Sequence, residues 1–520
     1  MSTVSIARGI DAAEVLPAVS MSAAEDPYRK PIGYVNVSDA QTCSRGLESP
    51  MDADAAQAGA DPAREFAGIV GEPQLLTGDR IGPDYQHDEA LVGEPVAPRF
   101  VACPQTAEQV AALLAAATRL QIPVTARGSG TGLSAAARPC PDGLLISFEK
   151  MTQILEVDTD NLVAVVQPGV TLADLEAAVT AEGLMYTVFP GELSASIGGN
   201  VATNAGGMRA VKYGVTRHNV LGLQAALPTG ELIHSGGKIT KLSTGYDLTQ
   251  LIIGSEGTLA LATEITVRLY PKLSHSATLL VPFADLPAVM RAVTAVVHSG
   301  VDPNILEYID KLTLAALSYS QNLNLGIPDS IRDAAEAHLV IGVEDRDHDR
   351  LDDDVAMLGE LLESLGAIDV YVLDGNSAHA LIEAREKSFW TAKATGADDV
   401  IDTVVPRAQM HEFITRAQEL AQAANGGVVG CGHAGDGNVH LAVFCTDDDA
   451  RHRLLHDIFA AAMELGGAIS GEHGLGRIKV RHFMDLEDTV KIALMRQIKN
   501  VFDPAGILNP GVMFDGGATK

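Results

Sequence analysis

The stretch Gly432-His433-Ala434-Gly435-Asp436-Gly437-Asn438-Val439-His440 leaves this protein little conformational choice. A glycine inside a helix costs about 1 kcal/mol relative to alanine. Asp436-Gly437 at the centre is a hairpin signal, so the segment reads as strand, tight turn, strand. The turn has a chemical consequence. His433 and His440 are seven residues apart and would project to opposite faces of one straight strand, whereas a turn between them lets both rings converge. Some thirty residues later, Ser470-Gly471-Glu472-His473-Gly474 supplies the carboxylate of Glu472, completing a set of two imidazoles and one carboxylate. Such a set leaves coordination positions open, as a catalytic divalent metal requires; zinc is the first candidate, with manganese and iron as alternatives. His473 is then a base beside the metal. The competing reading is a glycine turn carrying solvated or core-packed histidines.

At 520 residues the protein exceeds what one core supports, about 250–300 residues, so at least two domains are expected. Its apolar runs, such as Val110-Ala111-Ala112-Leu113-Leu114-Ala115-Ala116-Ala117, fall well short of the ~20 residues of a membrane-spanning helix. A net charge of −30 argues against nucleic acid or an anionic membrane surface as a general partner, and any anionic substrate must be met by local cations. Cysteines at positions 43, 103, 140, 431 and 445 form no CxxC pair, which fits a reducing compartment and, by default, the cytoplasm. Attachment to a membrane would then be peripheral, through an electron acceptor. Cys431 beside the metal turn reads as a packed small residue. Residues 1–60 show no sustained periodicity and no secretory signal, and are expected to form a mobile tail. Asp11, Glu14, Glu25 and Asp26 within them speak against a mitochondrial leader.

Order is expected from Ala63-Arg64-Glu65-Phe66 onward. Thr106 is placed to cap a helix whose Val110, Leu113, Leu114 and Ala117 recur at helical spacing, followed by a short strand over 122–126. Then comes Arg127-Gly128-Ser129-Gly130-Thr131-Gly132-Leu133-Ser134, whose bare backbone N–H groups could wrap a pyrophosphate. It is neither a Walker loop nor the dinucleotide fingerprint, and alone it is a plain glycine turn. After a strand at 163–167 and a helix capped by Thr171, the sequence gives Phe189-Pro190-Gly191 and Ser196-Ile197-Gly198-Gly199-Asn200-Val201-Ala202-Thr203-Asn204-Ala205-Gly206-Gly207. That glycine density suits close approach of main chain to a flat ligand, or else a pair of tight turns. Strands at 279–283 and 339–343 and a helix at 354–365 follow, with the charged run from Glu344 to Asp354 read as a solvated loop. Arg385, in Ala384-Arg385-Glu386-Lys387-Ser388, is either a carboxylate-binding guanidinium or part of an exposed helix face.

These motifs together with Gly245-Tyr246-Asp247-Leu248, Ile253-Gly254-Ser255-Glu256-Gly257-Thr258-Leu259 and the ending Phe502-Asp503-Pro504-Ala505-Gly506-Ile507-Leu508-Asn509-Pro510 occur in a telling order. It resembles that of FAD-linked oxidases of the vanillyl-alcohol oxidase and p-cresol methylhydroxylase superfamily, in the branch of D-lactate dehydrogenase, the glycolate oxidase FAD subunit and D-2-hydroxyglutarate dehydrogenase. The resemblance spans about residues 90–513. It implies an α+β fold with a two-subdomain FAD-binding domain over 61–272, an antiparallel-sheet cap over 273–460, and a C-terminal helical segment over 461–520 that returns to the flavin. It implies that Gly128, Ser129, Gly130, Thr131 and Gly132 cradle the pyrophosphate, with Arg127 near the phosphates. Pro190, Gly191, Gly198, Asn200, Asn204, Glu256 and Asn509 fall at cofactor-contacting positions. The first loop lacks the His through which some relatives hold FAD covalently, so non-covalent FAD is expected.

The activity implied is oxidation of a D-2-hydroxy acid. His433, His440 and Glu472 would hold the metal at the substrate hydroxyl, His473 would take its proton, Arg385 would bind the carboxylate, and hydride would pass to the flavin. The electron acceptor is then a quinone, an electron-transfer flavoprotein or an iron–sulfur subunit, and a homodimer is expected. Alternatives are a D-2-hydroxyglutarate dehydrogenase, a FAD-binding subunit of a multi-subunit glycolate oxidase without its own turnover, and a non-redox synthase such as alkylglycerone-phosphate synthase, which would need a lipid tunnel in the cap. Relatives acting on D-2-hydroxyglutarate carry an Asn two residues after the second histidine and a Lys before the cap's Pro. Here those positions read Ala442 and Val400, unless a gap brings in Lys393. Without polar anchors a second carboxylate is left unpaired, at a loss of about 1–3 kcal/mol or more, so a monocarboxylate is expected.

Overall fold

The structure is a computed structural model that describes residues 61–514; the expected tail over 1–60 lies outside the described residues. The Thr106 hydroxyl accepts from the Gln109 N–H at 3.3 Å and starts the helix Ala107–Leu120. Its Val110, Leu113, Leu114 and Ala117 are buried against a four-stranded sheet. The strands are Leu75–Thr77 (β1), Phe100–Ala102 (β2), Val124–Arg127 (β3) and Leu144–Ser147 (β4), ordered β1-β2-β4-β3, with β2, β4 and β3 mutually parallel. The C-terminal segment joins this sheet. The Val124 N–H donates to the Ile507 carbonyl and the Asn509 N–H to the Val124 carbonyl, both at 2.8 Å.

A second sheet is wholly antiparallel and uses Ile154–Asp158 (β5), Val163–Val166 (β6), Val220–Ala226 (β8), Leu232–Gly236 (β9) and Leu261–Arg268 (β10) in the order β5-β6-β10-β8-β9. Leu184–Met185 (β7) and Tyr270–Pro271 (β11) form a small ribbon beside it. Thr171 caps the helix Leu172–Thr180, which packs Leu172, Leu175 and Val179 into this core.

The cap is a seven-stranded antiparallel sheet. Its strands are His275–Phe283 (β12), Ile305–Asp310 (β13), Ala337–Asp345 (β14), Tyr371–Leu373 (β15), Asp399–Val404 (β16), Gly427–Gly432 (β17) and Asn438–Phe444 (β18). They are ordered β15-β12-β14-β13-β17-β18-β16. Strand alternation sorts the two faces. Leu306, Tyr308, Ile401, Val439, Leu441 and Val443 point into a large core with the helices Leu286–His298, His348–Ser364, Met410–Ala423 and Asp448–Glu464. Their neighbours Glu307, Val400, Asp402, His440 and Ala442 therefore occupy the opposite face.

Two expectations are corrected. The charged run at 344–354 is not a loop: β14 continues through Asp345, and Asp347 caps the helix His348–Ser364 by accepting from the Asp349 and Arg350 N–H groups. An acidic first turn suits a helix N-terminus, and three leucines, Leu351, Leu358 and Leu362, anchor an otherwise polar helix. The 196–207 segment is not a pair of turns. Ser196 caps the helix Ile197–Thr203, and Asn204 ends it in the left-handed conformation with φ 56°, so the two caps offset the unfavourable glycines. Among the described residues no helix is long and apolar enough to cross a membrane.

Candidate active site between the two halves

The glycine loop after β3 faces the helix Ile197–Thr203 across a cleft. A Cβ on Gly128 would collide with the Ser196 hydroxyl that caps that helix, so a side chain there is excluded by packing. Gly128, Ser129, Gly130, Thr131 and Gly132 line the cleft from one side; Pro190, Gly198, Asn200, Glu256 and Asn509 line it from others. Asn200 is buried, and its Nδ2 donor finds no hydrogen-bond partner among the described residues. Buried donors are seldom left unpaired. Bare backbone on one wall and an unpartnered amide on another fit a flavin dinucleotide.

Glu256 and Asn509 also knit the C-terminal segment into the cleft wall. The Glu256 carboxylate accepts from the Leu475 and Gly476 N–H groups at 2.9 and 2.8 Å, and burial pushes its pKa up to about 7. Asn509 Nδ2 donates to the carbonyls of Ala136 and Glu256, both at 2.9 Å. Three residues expected at the cofactor do not line the cleft. The Arg127 guanidinium donates to the His87 carbonyl at 2.6 Å and lies against Gly130 of the loop. Asn204 Oδ1 accepts from the Arg217 N–H at 2.9 Å. Gly191 lines the neighbouring cavity.

That cavity holds the histidines. β17 and β18 form the hairpin that Asp436-Gly437 signals, with Gly437 at φ 80°. The rings of His433 and His440 lie 5.1 Å apart, nearly perpendicular, and the Nε2 atoms of both stand 3.1 Å from Glu472 Oε1. The ligand atoms of the three residues all lie within 4.8 Å of one another, and Glu472 Oε2 is buried without a hydrogen-bond partner among the described residues. Burial pushes the His433 imidazole down, but Glu307 and Glu472 outweigh it and hold its pKa well above the usual value. Burial likewise raises Glu472, but His433 and His440 overcome it and hold the carboxyl well below its usual range. A divalent cation would satisfy the same charges and the open Glu472 oxygen, so the donor set fits a metal.

Two buried carboxylates that sequence reasoning missed organise this centre. Glu307, on β13, takes His433 Nδ1 at 2.6 Å on Oε1 and stands 2.7 Å from Arg385 Nη2 through Oε2, an ion-pair contact without good hydrogen-bond angles. Accepting from Nδ1 leaves Nε2 of His433 for a metal, the usual outer carboxylate of a metal-binding histidine. Asp402, opposite His440 in the register of β16 and β18, accepts from the backbone N–H groups of Gly471 at 3.1 Å and His473 at 2.8 Å, from Asn438 Nδ2 at 2.8 Å, and from the Ser470 hydroxyl at 2.7 Å. Asp402, His440 and His473 also cluster within metal-binding distance. With its oxygens committed to these donors, Asp402 serves instead to hold the Ser470–His473 turn. The signal available for both acids was a carboxylate at an interior position of a largely apolar strand, which must be paired if buried.

Arg385 is buried on the helix Gly375–Glu386 rather than on an exposed face, and it donates from Nη1 to Ser388 Oγ at 3.2 Å. Its Nε has no hydrogen-bond partner among the described residues. Arg385, His433, His440, Glu472 and His473 line one cavity, and Glu472 and His473 line the glycine-walled cleft as well. A Cβ on Gly206, beside that cleft, would lie 2.7 Å from Glu472 Oε2. The His473 ring stands 5.1 Å from His440, and burial lowers its pKa to about 4, so it is neutral near pH 7. Cys431, on β17, is buried and lines the same cavity without joining the donor set. Val400 and Ala442 are cross-strand partners and both line the cavity, whereas Lys393 pairs with Glu89 at 3.2 Å.

Residues 272–513 match the C-terminal domain of FAD linked oxidases, and residues 98–236 match an FAD binding domain. The protein is 64% identical to an uncharacterized FAD-linked oxidoreductase of Mycobacterium tuberculosis, over 86% of its own length and 98% of that relative's. It is 39% identical to a D-lactate dehydrogenase of Archaeoglobus fulgidus, covering 82% and 94% of the two proteins, and 36% identical to the glycolate oxidase subunit GlcD of Bacillus subtilis, covering 81% and 90%. The solved structure of p-cresol methylhydroxylase with substrate bound superposes with a TM-score of 0.73 over 88% of this protein and 97% of that one; at 17% identity this is a likeness of fold.

Proposed function

The protein belongs to the FAD-linked oxidase family, and we propose that it is a flavin- and metal-dependent dehydrogenase oxidising a monocarboxylic D-2-hydroxy acid, of the D-lactate or glycolate type, to the 2-oxo acid. One observation carries the reading: Glu472 and His473 stand in the wall between the cofactor cleft and the cavity that holds Arg385, His433 and His440. A substrate held there would meet a carboxylate clamp, a metal donor set, a neutral base and the flavin cleft at once.

Bound flavin would supply the two-electron acceptor, and a divalent ion, zinc, manganese or iron, the Lewis acid. The protein's own groups do the rest. Arg385, charged and buried, offers its free Nε and the poorly engaged Nη2 to the substrate carboxylate. Glu307 keeps that guanidinium and His433 in place together. Neutral His473 is open to accept the hydroxyl proton, and its main chain is held by Asp402. Arg385 is the one Arg or Lys among the described residues lining the cavity, which favours a single carboxylate over a dicarboxylate. Relatives named D-lactate dehydrogenase and a glycolate oxidase subunit support this chemistry, and the latter's name supports an electron-accepting partner.

The test is anaerobic. Purified protein should be yellow, bleach on addition of D-lactate or another D-2-hydroxy acid, lose that response after chelation and regain it with a divalent metal. A folded protein without flavin, or a flavin that no 2-hydroxy acid bleaches, defeats the proposal.

A further inference from the structure

The cavity beside the donor set has a volume of about 440 Å³. D-Lactate carries only one methyl group beyond the hydroxyl-bearing carbon, too short to reach along the cavity's apolar wall. Arg385, His433, His440 and Glu472 form one charged cluster in the cavity wall, linked through Glu307. Along β18 the side chains facing the cavity run from His440 to Ala442 to Phe444, and at ~3.3 Å per residue this wall extends about 13 Å away from the metal donors. Val400 and Val429 continue it on the neighbouring strands, and Ala316 and Phe389 face it from the helices Lys311–Ser320 and Ser388–Ala394. No cation stands at that far end among the described lining residues.

Resting on the proposed dehydrogenase reading, we infer that the preferred substrate is a medium-length D-2-hydroxy acid, with an unbranched apolar tail of about four to six carbons beyond the hydroxyl-bearing carbon lying along Ala442 and Phe444. The overall reaction is unchanged: the hydroxyl oxygen gives up its proton, the carbon that bears it gives up a hydride, and the family's flavin would receive the electron pair. What the chamber adds is binding of the tail. Each buried methylene is worth about a three- to fourfold gain in affinity, so unfilled length is selectivity forgone.

The experiment follows anaerobic flavin reduction in the holoprotein across D-lactate, D-2-hydroxybutyrate, D-2-hydroxyhexanoate and D-2-hydroxyoctanoate. A parallel series measures binding of unreactive acetate, butyrate, hexanoate and octanoate by the fluorescence of Trp390, the single tryptophan, which packs on Phe389. We expect kcat/KM to rise at least about thirtyfold from D-lactate to D-2-hydroxyoctanoate and carboxylate Kd to fall about threefold per methylene. Ala442→Phe and Val429→Phe, which fill the chamber, should each flatten both series. A series that is flat or falls with length, while D-lactate still bleaches the flavin, overturns this inference alone. The same holds if a short-tailed quinone occupies the chamber and displaces octanoate while substrate length leaves kcat/KM unchanged. Failure of every 2-hydroxy acid to reduce the flavin overturns the dehydrogenase reading and this inference with it.

Discussion

The cofactor cleft and the reaction cavity meet at Glu472 and His473 yet are built by opposite means. The cleft is main chain laid bare: a glycine loop whose close fit to Ser196 tolerates no Cβ, with a single unpartnered amide at Asn200. The donor end of the cavity is built of charged side chains, where Glu307 and Asp402, both fully buried, pin His433, Arg385 and the Ser470–His473 turn. Backbone donors need only a permissive conformation. Buried charges need partners, and losing one partner strands the other.

Substitutions should therefore fall more heavily on the cavity than on the cleft. The largest effect is expected for Glu472→Ala, which removes a carboxylate shared by both histidines: kcat/KM should drop at least about a hundred- to a thousandfold while visible flavin absorbance stays, read by stopped-flow reduction. Arg385→Lys keeps the charge but loses the planar fork, and KM should rise about tenfold to a hundredfold with less change in kcat. Glu307→Gln should weaken metal affinity by about ten- to a hundredfold, measured by metal titration of the chelated protein, because the His433 ring loses its outer carboxylate. Asn200→Ala tests the cleft: one donor among many is lost, and FAD should bind about tenfold more weakly by equilibrium dialysis. A larger loss there than for Glu307→Gln on metal would reverse the contrast. Smallest, and directed at the far wall, D-lactate should exceed D-2-hydroxyglutarate in kcat/KM by at least about tenfold, since Val400 and Ala442 offer a second carboxylate no donor.

Local chemistry was legible in the sequence. Thr106 and Thr171 cap the helices their side chains announce, and Asp436-Gly437 turns the hairpin that brings His433 to His440. The Gly128–Gly132 loop also stands on the cleft that its composition suggested. Each of these signals acts within a few residues. The helix expected at 354–365 begins earlier, at His348, and that start was missed because its apolar anchors are sparse among acids; the helix Ile197–Thr203 was missed because its caps outweigh its glycines.

What only the tertiary structure decided is which distant side chains share a face. Arg127 and Asn204 sit in glycine-rich motifs yet bond to the main chain of His87 and Arg217 and do not line the cleft. Glu307 lies 126 residues before His433 and meets it because β13 and β17 pair in antiparallel register; Asp402 lies 69 residues before Gly471, which reaches it just beyond the antiparallel bridge between Val404 and Ala468. Local residue types by themselves determined the turns, the caps and the metal-capable donors. The carboxylates that hold those donors were set by strand pairing, since hydrogen bonding between strands and the two-residue alternation of side chains act across any separation in sequence.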